Sequence, residues 1–130
     1  MRTATFTSNE GDTYMKLSAA LRNSGDGNGW GVIDGDGHEP LGITIGAVTS
    51  STLEVLFPNA IQVCDLVCGP DETFAKPPYK AVFGASVGFY RAIIQGTVSG
   101  VQFNPQTWSH PSANIWVSGW MLMADAPPSS

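Results

Sequence analysis

Ala113-Asn-Ile-Trp-Val-Ser-Gly-Trp-Met-Leu-Met123 is apolar on both sides of an extended chain. Successive side chains of a strand point to opposite faces, so Ile115, Val117, Met121 and Met123 share one side and Trp116, Trp120 and Leu122 the other. One side can fill the core of a β-sandwich. The second needs another cover, and a neighbouring subunit is the expected supplier. The surrounding sequence has the same texture: from Ala81 to Ala124, Arg91 is the only Asp, Glu, Lys or Arg, yet the stretch is too polar and glycine-broken for a membrane span. A small domain with 13% charged residues cannot bury so much neutral surface alone. The expectation is symmetric self-association, with Trp116, Trp120 and Leu122 at the contact.

Upstream of this strand the chain reads as β from Gly29 onward. Trp30–Ile33, Leu41–Val48, Leu53–Phe57, Ile61–Val67, Tyr79–Val87 and Phe89–Val98 are rich in branched and aromatic residues, and Gly, Pro, Asn or Asp clusters separate most of them. The pattern predicts an all-β fold, a mainly antiparallel sandwich or barrel of seven to eight short strands. Thr49-Ser-Ser-Thr52 joins two of the runs as a hairpin, in which Leu53, Val55 and Phe57 share a face and Glu54 points outward. Gly96 and Gly100 suggest bulges or close backbone approach, with the apolar parity switching at Gly100.

The N-terminal part reads differently. Asp12 or Thr13 can cap, Tyr14, Leu17 and Leu21 recur at helical spacing, and Asn23–Gly29 supplies stop signals. A short helix over Thr13–Arg22 follows, an amphipathic strand being the alternative. On this basis residues 1–28 form an appendage and residues 29–130 the β-sandwich domain. The segments Gly69–Pro78 and Asn104–Ser112 read as long exposed loops, the second carrying Trp108 and His110 in the open. Trp108, His110 and Tyr79 are accordingly candidate contact anchors. Trp108 with His110, Asn104 and Gln106 also has the composition of a glycan site.

Composition excludes several classes. Apolar residues make up 42% of the chain, too many for intrinsic disorder, and a net charge of −5 argues against nucleic acid as a partner. The start, MRTATFTSNE, lacks the apolar region of a signal peptide, and no run of eighteen apolar residues occurs, so synthesis in a cytoplasm without membrane insertion is expected.

The candidate chemistry is sparse. Cys64 and Cys68 on a regular strand would stand about 13 Å apart, beyond the ~7 Å limit of a disulfide, so they are expected to be free thiols. With His38 and His110 they could make a zinc tetrad only at an unusual spacing. Asp26, Asn28, Asp34, Asp36 and Glu39 offer hard oxygens for calcium, but without the EF-hand order, and Asp-Gly turns account for them equally well. No nucleophile motif accompanies the histidines, so no catalytic residue is assigned and no enzyme, cofactor or metal is expected.

In three stretches, GITIGAVTSSTLEVLF (42–57), FYRAIIQGTVSGVQFNP (89–105) and ANIWVSGWML (113–122), the chain resembles small all-β proteins of bacteriophage virion exteriors: capsid decorations, tail appendages and fibre tips. The resemblance implies a symmetric homo-oligomer, most simply a trimer, that docks on other virion proteins, with no cofactor and no turnover. A lectin-like module that touches a host-surface glycan is the alternative expectation.

Overall fold

The computed structural model describes residues 4–7, 13–25, 27, 29–36, 43–60 and 62–124. Within them lie strands β1 (Ala4–Thr7), β2 (Thr13–Asn23), β3 (Trp30–Asp36), β4 (Thr44–Val48), β5 (Leu53–Leu56), β6 (Gln62–Pro70), β7 (Val82–Val87), β8 (Arg91–Val98), β9 (Val101–Gln102) and β10 (Ile115–Ala124). One helical turn, α1 (Glu72–Ala75), lies between β6 and β7. The strands form two antiparallel sheets, so the all-β expectation holds, and each of the seven runs read as strands from Gly29 onward overlaps one, with β1, β2 and β9 in addition.

In the first sheet β10 lies between β2 and β6. β1 pairs with Thr13–Lys16 and β3 with Ser18–Asn23, so the two lie end to end along the other edge of β2. The second sheet runs β4-β5-β8-β7, with β9 continuing the β5 edge of β8. Leu17 and Leu21 of β2, Ile115, Val117 and Met121 of β10, and Val63 and Leu66 of β6 face inward from the first sheet. Leu53, Val55, Ala92, Ile94 and Phe83 face inward from the second, and all twelve belong to one buried cluster. Burying side chains of this size contributes about 1.5–3 kcal/mol each, which makes this layer the main source of stability.

The helix expected over Thr13–Arg22 is instead the strand β2. Leu17, Ala19 and Leu21 are buried at a spacing of two, and β2 is paired along both edges. Leu17 and Leu21 satisfy a helical and an extended pattern equally, and the non-local ladder with β10 overrides the helical propensity of Met15, Leu17, Ala19 and Ala20. Residues 13–23 are therefore an interior part of the sandwich and not of an appendage.

Two irregularities shape the first sheet. Trp120 lies opposite Asp65 but Met121 lies opposite Val63, so Cys64 is an extra residue in β6. This bulge lets Val63 and Leu66, three apart, both face the core. The Asp65 carboxylate accepts the Trp120 N–H at 2.8 Å across the bulge. Gly119 makes the approach feasible: a Cβ there would stand 2.2 Å from the Asp65 carbonyl oxygen and 3.0 Å from Leu66 Cα. In the second sheet Ser99 and Gly100, both at positive φ, form the two-residue turn between β8 and β9, which is why the apolar parity switches there. The expected hairpin at Thr49–Thr52 is present, closed by the Thr49 N–H to the Thr52 carbonyl at 2.9 Å and by their hydroxyls at 2.6 Å.

The segment expected to be an exposed loop, Gly69–Pro78, is partly core. Asp71 caps α1 by accepting the Phe74 N–H at 2.9 Å, and the turn drives Phe74 to zero exposure at one end of the sandwich.

Candidate interaction surface

A sandwich that fills its interior from alternate residues leaves the other alternate residues outside. On the outer face of the first sheet β10 presents Trp116, Ser118, Trp120 and Leu122, bordered by Ala20, Ser18, Lys16 and Tyr14 of β2 and by Gly69, Val67, Asp65 and Gln62 of β6. Trp116 is 41% exposed and Val67, diagonally beside it, 58%. The tryptophans are held rather than loose. The Trp116 indole lies over Gly69, where a Cβ would meet its ring at 2.6 Å, and its Nε1–H donates to the Pro70 carbonyl at 3.0 Å. The Lys16 ammonium stands 5.6 Å from the centre of the half-buried Trp120 ring, within cation–π range. Leu122 is half-buried between Tyr14 and Gln62. The partition of β10 into two apolar sides is thus present, with Trp116, Trp120 and Leu122 together on the solvent side; Met123's side chain lies outside the described residues.

Trp108, His110 and Tyr79 also come together, but as internal packing. Trp108 stacks on Phe74 at 4.7 Å and 17°, Tyr79 meets Trp108 edge-on at 5.3 Å, and the His110 ring lies nearly parallel to Trp108 at 6.2 Å and 9°. His110 Nδ1 accepts the backbone N–H groups of Ser112 and Ala113 at 3.0 Å each, and the His110 backbone N–H donates to the Asn23 carbonyl at 2.8 Å. Gln106 Nε2 donates to the Val48 carbonyl, and Asn104 Oδ1 accepts the Gln106 N–H. Neither Trp108 nor His110 is in the open, as the sequence suggested; both are half-buried. The physical reason is that the open end of the sandwich over Phe74 and Phe103 needs a plug, and this loop supplies it. Each member of the glycan-type set Trp108, His110, Asn104 and Gln106 thus makes contacts within the chain, Gln106 from an exposed position. Trp108 Nε1 is buried with no hydrogen-bond partner among the described residues.

Among the described residues the most exposed aromatic side chains lie elsewhere, at the β7–β8 tip, and the sequence placed them at the start of a strand. Phe89 is 72% exposed and Tyr90 57%. Their backbone is fixed by the Phe57 N–H on the Tyr90 carbonyl at 2.7 Å and by the Val63 N–H on the Phe89 carbonyl, so rigid backbone carries free rings. Gly88 already separated the two runs, but nothing in the sequence showed that the second strand starts only at Arg91 and leaves Phe89 and Tyr90 in the turn.

Polar groups elsewhere are occupied by architecture. Glu54, whose side chain is 15% exposed, accepts the Ala47 N–H at 3.0 Å and pairs with Arg91 at 3.2 Å, holding the irregularity in β4. Arg22 Nε donates to Asn114 Oδ1 at 2.7 Å. The Lys76 ammonium, 2.7 Å from Glu72, holds that carboxyl below its usual range on the open surface. Both cysteines are free thiols; Cys64 is exposed, whereas burial pushes the Cys68 thiol up to about 11. Among the described residues no three or more His, Cys, Asp and Glu gather as a metal site. Asp26, Asn28, His38 and Glu39 lie outside the described residues, and so do the side chains of Asp34 and Asp36.

Compared with protein-family models, with curated proteins and with solved structures, the chain matches none.

Proposed function

We propose that the protein is a non-enzymatic structural subunit that self-associates through the outer face of its first sheet and docks on other proteins of a bacteriophage virion exterior. The observation that carries the assembly reading is the half-exposed Trp116, fixed by its Pro70 hydrogen bond on the middle strand of a sheet, with Val67, Trp120 and Leu122 on the same face. Rigid aromatic area loses little entropy on contact, which is why such residues dominate interfaces. Phe89 and Tyr90 at the β7–β8 tip offer a second surface of the same kind for a different protein. The assignment to a virion rests on the sequence texture of 42–57, 89–105 and 113–122. A structural role is preferred to a catalytic one because His110, Asn104, Asp71, Asp65 and Glu54 each hold backbone groups of the fold.

The experiment is the mass in native buffer by light scattering, where the parent should run as a multiple of 13.7 kDa. Val67→Glu, at an exposed position, and Trp116→Ala should both shift it toward the single-chain mass with the far-UV spectrum retained. A parent that is already a single chain at micromolar concentration sinks the reading.

A further inference from the structure

The outer face of the second sheet has its own feature, independent of the tryptophan face. Its ladders set side chains in rows across the strands: Val82, Thr97 and Gln102 in one row, Gly84 and Gln95 in the next, Ser86, Ile93 and Glu54 in the third. The middle row is nearly empty. Gly84 has no side chain, and a Cβ built there would have nothing within 4 Å. Opposite Gln95, β5 has not yet begun and β9 has already ended, so no strand partner fills that side. A trough of ≈ 480 Å³ results, lined by Gly84, Ser86, Gln95, Thr97 and Gln102 among others.

From this geometry we infer that the trough is a binding site for a neutral saccharide chain lying across β7, β8 and β9. Its lining holds two carboxamides and two hydroxyls, groups that both donate and accept, and no charged side chain. On the same face, Glu54 and Arg91 pair with each other at 3.2 Å. The floor's backbone between β7 and β8 is paired in their ladder, so recognition within the trough falls to its side chains rather than to strand addition, for which β7, the last strand of the sheet, offers its outer edge. A ligand dense in its own hydroxyls suits side-chain amides better. Val82, 64% exposed on the rim, gives the C–H face of a sugar ring an apolar support.

The test is titration of the isotopically labelled full chain with cellohexaose, maltohexaose, chitohexaose and a mannohexaose, with a sulfated hexasaccharide alongside, read by amide chemical shifts. At least one neutral hexasaccharide should shift Gly84, Gln95, Thr97 and Gln102 saturably at millimolar concentration. Gly84→Val should weaken that binding by about tenfold or more, since it fills the trough where a side chain has room and the strand backbone accepts it. Gln95→Ala should weaken it without adding bulk. Neither change should alter the native mass, which separates this site from the assembly face. No saturable shift at these residues with any neutral sugar, a preference for the sulfated one, or binding indifferent to both variants would overturn the inference.

Discussion

Replacing Trp108 separates a plug from a contact residue. If the ring closes the end of the sandwich over Phe74, Trp108→Ala must destabilise the fold. Full burial of an aromatic side chain makes truncation cost about 3–5 kcal/mol, so the half-buried Trp108 should account for about 2–3. Losing the 4.7 Å stack on Phe74 adds about 0.5–1.5 kcal/mol. Against this, the buried indole N–H has no partner among the described residues, and removing it relieves about 1 kcal/mol. The net expectation is a loss of about 2–3 kcal/mol, or a fall in Tm of about 10 °C for a domain of this size. Trp108→Phe keeps most of the stack and deletes the orphan donor, so it should stay within about 1 kcal/mol of the parent. Urea unfolding followed by far-UV circular dichroism, at one protein concentration for all three chains, measures both. If Trp108→Ala unfolds within about 0.5 kcal/mol of the parent, the ring is not a plug and the packing account of this loop is wrong.

Other expectations follow from single positions. Gly119→Ala should cost about 3 kcal/mol or more, because its Cβ meets backbone of β6 that cannot swing aside, and a parent-like Tm would show that the β6 bulge is not as tight as described. Asp71→Ala removes the cap of α1 and should cost about 1 kcal/mol, whereas Asp71→Asn should recover most of it in the same melt. For Cys68 the folded pKa is raised above the ordinary 9.0 to about 11, so the unfolded chain ionises first: the thiol's contribution is fully present below about pH 9 and is lost as pH rises toward 11. Cys68→Ala should flatten that alkaline decline in stability, and in the parent the exposed Cys64 should react with a disulfide reagent well before Cys68.

How much of this could be read from residues alone depended on whether the deciding partner was local. β10 was legible because its two sides differ in kind, with Ile115, Val117 and Met121 against Trp116, Trp120 and Leu122, and strand geometry alone sorts them. The β4–β5 hairpin was legible because the four residues Thr49–Thr52 carry their own turn chemistry. β2 was not, since the ladder to β10 that makes it a strand joins residues at opposite ends of the described chain. Trp108 was misplaced for a similar reason: nothing near it in sequence announces Phe74 beneath it. The trough across the second sheet depends on Gly84, Gln95 and Gln102 meeting from three strands, a coincidence of register that no single run displays.

The pairing of β2 with β10 also sets when the protein can fold during synthesis. The second sheet draws only on residues between 44 and 102, a span interrupted by β6 and α1, and its hairpins β4–β5, β7–β8 and β8–β9 can form as soon as that span leaves the ribosome. The first sheet cannot, because β2 waits unpaired along its inner edge until Ile115–Ala124 has been translated. Until then Leu17 and Leu21 have no core to enter, and loop closure over almost the whole chain sets the rate of the final step. A nascent chain halted before β10 therefore exposes a sticky strand, and the last strand made acts as the latch that turns two half-built sheets into a molecule with an outside.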